Sequence, residues 1–199
     1  MSTDAESILD LARSRGLVRP LDLVSMGLPR VALTRLVRDG SLVRLRRGLY
    51  ALPDRSASEH AQLAEVARMH PRGIVCLLSA LRFHALTTQA PFEVWLAIPK
   101  SARVPKAGYP PLRIVRFFGS ALTQGIEDHI IDGVPVRVTS VPKTVVDCFK
   151  YRNKIGLDVA LEALHEAWRA KRVTMDELWH FAAMCRVANV MRPYLESLP

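Results

Sequence analysis

Glycines at positions 16, 27 and 40 cut the first forty residues into three short apolar-periodic segments, and this punctuation constrains the fold more than any other feature of the chain. The first segment, Thr3 to Arg15, opens with Glu6 three residues after Thr3, the pattern of a capping box. It carries Ile8, Leu9, Leu11 and Ala12 as an apolar stripe. The second starts at Pro20, holds Leu21, Leu23 and Val24 as its apolar side, and stops at Gly27. The third runs from Pro29 to Asp39 and is stopped by Gly40. "SLVRLRR" and "GLYAL" then read as two short strands about a tight Arg-Arg-Gly bend, with Gly48 supplying a positive φ. Three helices followed by a hairpin in about fifty residues is the order of a winged helix-turn-helix.

The polar, turn-rich stretch "PDRSAS", Pro53 to Ser58, predicts a boundary between a winged-helix domain over residues 1–54 and a second domain over 59–199. The second part is mixed. Helices are expected from Ser58 or Glu59 to Met69 and through "LLSALRFHAL", and strands at "FEVWLAIP" and "LRIVRFF". "HIIDGVPVRVTS" carries a hairpin signal, Asp132-Gly133 between two β-branched runs. From Pro142 the pattern turns helical, through "VPKTVVDCFKYR", "LDVALEALHEAWRAK" and "TMDELWHFAAMCRV". The expected class is α+β, an N-terminal winged helix-turn-helix followed by a mixed α/β domain with a helical C-terminal end.

Between Leu28 and Leu52 stand six arginines and one acid, Asp39. At about 100° per residue, Arg30, Val31, Thr34, Arg35 and Arg38 of the third segment share one face. Ala32, Leu33, Leu36 and Val37 fall on the other, which should dock on the first two helices. Arginines with a threonine and one small apolar side chain suit guanine edges, phosphates and a thymine methyl in a major groove. In a winged fold the hairpin reaches an adjacent groove or backbone, which gives Arg44, Arg46 and Arg47 a role. The formal net charge of +9 agrees with a polyanionic partner.

Other chemistries find little support. The six histidines show no metal-ligand spacing with one another or with cysteine. His129 has an adjacent carboxylate, Asp128, which suggests a surface hydrogen bond. Ser79 lacks a Gly-x-Ser-x-Gly elbow, and no glycine-rich phosphate loop occurs. None of the six lysines has an acid two residues before it, as a metal-dependent nuclease strand often does, and Asp147 reads as a structural acid bonded to backbone or to an arginine. No catalytic residue, metal or cofactor is expected. Cys76, Cys148 and Cys185, odd in number and in apolar company, read as buried thiols of a reducing compartment. No apolar run approaches the roughly 18 residues of a membrane span, and the acidic first ten residues do not resemble a secretory signal, so a cytoplasmic protein is expected. Two rivals stay open on the residues alone. One is a nuclease with an unrecognised site. The other is an RNA- or protein-binding module using the loop "PKSARVPKAGYPPLR", with Lys100, Arg103, Lys106 and Arg113 beside Tyr109 as a second basic surface.

The spacing "GLPRVALTRLVRDGSLVRLRRGLYAL", with "LLSALRFHAL", "GVPVRVTSVPKTVVDCF" and the helical end, resembles the AbiEi family of antitoxins and transcriptional repressors of type IV toxin–antitoxin pairs. The resemblance implies an N-terminal domain that binds inverted repeats in its own promoter DNA. It also implies a C-terminal domain that counters a co-encoded nucleotidyltransferase-like toxin without forming a stable complex with it. Arg30, Thr34, Arg35 and Arg38 would be the recognition face, and Arg44, Arg46 and Arg47 the wing. "TSVPKTVVDCF" looks like the family's motif at this place, in which Thr144 and Asp147 would fix a strand-to-helix corner.

Overall fold

The structure, a computed structural model, describes residues 3–106 and 108–198; the Thr3 side chain, and with it the expected Thr3–Glu6 capping box, lies outside what is described. The chain forms two compact units. The first comprises Met1–Pro71 with Ile130–Val136, the second Arg72–His129 with Arg137–Pro199. The first unit thus takes in the stretch at 53–58 and the tip of a later hairpin.

In the first unit, helices α1 (Thr3–Arg15), α2 (Pro20–Ser25) and α3 (Val31–Arg38) precede strands β1 (Val43–Arg46) and β2 (Leu49–Ala51), and α4 (Ala61–Met69) follows. Ile8, Leu9, Leu11 and Ala12 pack with Val18, Leu23, Leu33, Leu36 and Leu42 into one core. On α2 only Leu23 of the expected apolar trio is buried, while Leu21 and Val24 face outward. Six residues make too short a helix to hide more than one narrow side. The connection into α2 is held by Asp22, whose carboxylate accepts from the Arg19 backbone N–H at 2.6 Å and from Arg68 of α4 at 2.7 Å. Arg68 also donates to the Leu17 carbonyl at 3.0 Å. These bonds explain why α4 joins the winged helix. A buried carboxylate needs a charged partner, and the partner comes from beyond the supposed linker. That linker is itself pinned, because Arg55 donates to Asp132 at 2.6 Å. Gly16 lies so close to the Asp132 carbonyl oxygen that a Cβ would approach it to 2.1 Å.

The second unit is built on a five-stranded sheet of order β5-β4-β3-β7-β6, from β3 (Ile74–Val75), β4 (Val94–Pro99), β5 (Leu112–Phe117), β6 (Ile126–Ile131) and β7 (Val134–Thr139). Strands β4 and β5 are parallel, as are β3 and β7, while β3 and β4 are antiparallel. Helices α5 (Leu77–Phe83), α6 (Val141–Lys150), α7 (Arg152–Ile155), α8 (Leu157–Arg169), α9 (Met175–Cys185) and α10 (Ala188–Leu195) complete it. The expected strands and the long C-terminal helices are present. The two-residue β3 is too short to carry a periodic signal, and in α10 Pro193 interrupts the i, i+4 spacing of the buried Val187, Met191 and Leu195.

Helix α6 is the axis of this unit, and every residue from Val141 to Phe149 is buried. Its entry corner is made as the resemblance implies for Thr144, whose hydroxyl meets the Thr139 hydroxyl at 2.7 Å and donates to the Thr139 carbonyl at 3.0 Å. Asp147 does something else. Its carboxylate is bonded to the ammonium of Lys143, one turn earlier, and accepts from Cys185 Sγ of α9 at 3.5 Å. The partner is thus neither backbone nor arginine, as expected from sequence, but a fully buried lysine stacked over the Phe117 ring at 4.5 Å. The three cysteines are free and buried, and burial pushes the Cys185 thiol up to about 11.

Candidate nucleic-acid interface

Helix α3 is held out from the core by its own periodicity. Leu33 and Leu36 are buried, Ala32 and Val37 half-buried, and Arg30, Val31, Thr34, Arg35 and Arg38 are all exposed. The turn before it is set by Gly27, at φ +70, with the Leu28 N–H donating to the Leu23 carbonyl at 2.8 Å. The turn after it is set by Gly40, at φ +81, and by the Leu42 N–H donating to the Leu36 carbonyl at 2.9 Å. Asp39 accepts from the Ser41 N–H at 3.0 Å, and that bond holds its carboxyl below the usual range. The lone acid of the stretch is therefore spent on a turn. Val31, 54% exposed, is an apolar side chain with no core to fill, among three arginines and a threonine.

The hairpin separates the three wing arginines. Val43 faces Ala51, Arg44 faces Tyr50 and Arg46 faces Leu49, with the register shifting between Arg44 and Arg46. That irregularity breaks the alternation that would have put Arg44 and Arg46 on one face. Arg44 and Arg47 are exposed, and Gly48 turns the chain at φ +79. Arg46 lies back against α4, 3.6 Å from Glu65, with only 20% of its side chain exposed. It stands apart from the exposed Arg44 and Arg47. Its partner, nineteen residues on, had no local pattern to reveal it. Behind the hairpin Val18 and Tyr50 exchange two backbone hydrogen bonds of 2.9 Å, adding a third short strand pairing that sequence periodicity did not show.

Of the second basic surface expected from the 100–113 loop, Arg113 lies apart from Lys100. Lys100 follows the carboxyl end of β4, while Arg113 pairs in register with Trp95 near its start, some five residues or roughly 16 Å away along the strand. Arg113 is engaged with Glu93 at 2.7 Å and lies over the Trp95 ring at 5.6 Å. Lys100, Arg103 and Lys106 are exposed. His129 bonds Glu127, at 3.2 Å, rather than its neighbour Asp128. Among the described residues no group of three His, Cys, Asp or Glu side chains could hold a metal ion, and no helix is long and apolar enough to cross a membrane.

Residues 6–53 match a family model described as a transcriptional regulator, AbiEi antitoxin. That segment contains the whole of the α3 face and the wing. No curated protein matches the chain. Among solved structures, that of the RV2827C protein from Mycobacterium tuberculosis is similar, with a TM-score of 0.60 at 17% identity, over 92% of this chain and 72% of the other. At that identity the likeness speaks for a shared fold.

Proposed function

We propose that the chain is a DNA-binding transcriptional regulator that represses its own promoter and serves as the antitoxin of a type IV toxin–antitoxin pair. One observation carries this reading: α3 presents Arg30, Val31, Thr34, Arg35 and Arg38 on a single exposed face, within the segment that matches the regulator family. A helix of this kind, framed by two glycine turns and followed by a wing, fits a major groove. Its arginines can meet guanine or phosphate and Val31 a thymine methyl. Arg44 and Arg47 at the wing would touch the backbone beside it. Inverted repeats in the promoter would offer this face two half-sites. The counter to a nucleotidyltransferase-like toxin, without a stable complex, is assigned to residues 59–199.

The test has two arms. Anisotropy titration with the duplex upstream of the gene should give tighter binding than a random duplex of equal length, and equal binding would overturn the repressor reading. Growth rescue from a toxin driven by a foreign promoter isolates the antitoxin activity, because repression cannot contribute. Failure of rescue would leave a repressor alone.

A further inference from the structure

Most of the chain's net positive charge lies outside the unit that carries the winged helix. The second unit holds 17 Lys and Arg against 10 Asp and Glu, a net +7 of the chain's +9. Two acid-free stretches contribute much of it, one between Glu93 and Glu127 and one between Asp147 and Asp158.

The fold brings parts of these stretches together. Because β4 and β5 are parallel, with Pro99 beside Phe117, the residues that follow each strand emerge side by side. Arg116 locks the first of these exits, donating to the carbonyls of Pro99 at 2.8 Å and Ala102 at 2.5 Å. The Arg116 carbonyl in turn accepts from the Tyr151 hydroxyl at 3.3 Å, which ties the end of α6 to the same place. Phe118, just past β5, is 63% exposed, and the Lys150 ammonium lies 5.5 Å from its ring centre. One turn further the Lys154 ammonium lies 5.7 Å from the Tyr151 ring. Among the described residues none of Lys100, Lys150 and Lys154 has a carboxylate partner.

We propose that this surface, at the carboxyl ends of β4 and β5 with the end of α6 and α7, binds single-stranded nucleic acid, a base stacking on Phe118 and the backbone phosphates meeting Lys100, Lys150 and Lys154. An exposed ring among unpaired ammonium groups, on a backbone held fixed by Arg116, suits a flexible strand with accessible base faces. In a duplex those faces are stacked away, so Phe118 would have nothing to receive. The surface shares no residue with the α3 face.

The test uses the full-length protein and three labelled probes: a twelve-nucleotide oligo(U), the matching oligo(dT) and a random duplex. Phe118→Ala should weaken both single strands about tenfold, while Phe118→Tyr retains binding and neither changes promoter affinity. Lys150→Gln and Lys154→Gln should each flatten the salt dependence on the single strand by about 0.7 in log–log slope. Arg35→Ala/Arg38→Ala, which should weaken promoter binding by the winged helix, should leave oligo(U) binding intact. Preference for oligo(U) would identify RNA as the ligand, and equal affinity any single strand; both support the proposal. It is overturned if neither strand binds, if Phe118→Ala changes nothing, if the Arg35/Arg38 variant abolishes single-strand binding, or if Phe118→Ala weakens the random duplex as much as the strands. Melting curves identify any variant that fails to fold, and the exposed Phe118 keeps that risk low for the decisive substitution.

Discussion

Lys143 and Asp147 stake more on each other than any other two residues here. Both are buried in the second unit, and burial raises the Asp147 pKa although the neighbouring Lys143 ammonium pulls it down. Removing one partner strands the other charge, so Asp147→Ala should cost about 3–5 kcal/mol in denaturant unfolding. Lys143→Met/Asp147→Leu should cost far less, because two apolar side chains leave no charge in the core. A double variant no better than the single would mean that the pair is worth more than its desolvation. His84 carries a pH signature. Burial lowers its pKa, against its bond to the Thr139 carbonyl at 2.7 Å and with help from Arg172. The unfolded chain takes up a proton near the ordinary value of about 6.5, whereas the folded one resists until lower pH. Stability from this group is therefore complete above about pH 6.5 and is lost as pH falls from there toward the depressed folded value. His70, lowered mainly by burial as well, acts in the same direction. The urea midpoint should drop between pH 7 and pH 5, and His84→Gln should flatten part of that drop. An unchanged slope would remove His84 from the account.

At the level of elements, the proposed function divides DNA binding between α3 and the wing. Arg35→Ala or Arg38→Ala should cost roughly 1–3 kcal/mol on the cognate site and little on random duplex, provided either side chain pairs with guanine. Arg44→Ala and Arg47→Ala should weaken both duplexes alike. Arg46→Ala, whose side chain rests against Glu65, should lower the melting temperature of the first unit more than it changes DNA affinity. Equal losses on both duplexes for Arg35 and Arg38 would show that α3 reads no bases. What could be seen in the sequence follows from range. The division of α3 into a Leu33/Leu36 side and an arginine side is an i, i+3 pattern that local periodicity carries in full. The hairpin about Gly48 is equally local. The inward turn of Arg46 depends on a register shift and on a residue of α4. The separation of Lys100 from Arg113 depends on β4 and β5 running parallel, which no stretch of either strand announces. Lys143 looked like any surface lysine, because its burial is decided by Gly125, Phe117 and Phe181 from three other places in the chain.

Over the whole molecule, the uneven charge shapes what binding measurements will report. If α3 and the wing neutralise roughly four to six phosphates, log K on the promoter should fall against log salt with a slope of about −4 to −5. A slope near zero would sink the arginine-face reading. The first unit also sets where the protein can be cut. A fragment of residues 1–54 keeps every arginine assigned to DNA but loses α4, and with it Arg68, the partner of buried Asp22, and Glu65, the partner of Arg46. Leu63, Ala64, Val66 and Ala67 of α4, all buried, leave with it. A chain of fifty-odd residues is already short of core, so a buried carboxylate left with Arg19 as its one cation should tip it toward unfolding. Residues 1–71 restore these contacts and should melt cooperatively and bind promoter DNA, more weakly than the full chain because Asp132 no longer holds Arg55. The comparison is a pair of thermal melts followed by circular dichroism, with a gel shift on each fragment. If residues 1–54 melt as sharply and as high as residues 1–71, α4 is an ornament on the winged helix and the stretch at 53–58 is the true border after all.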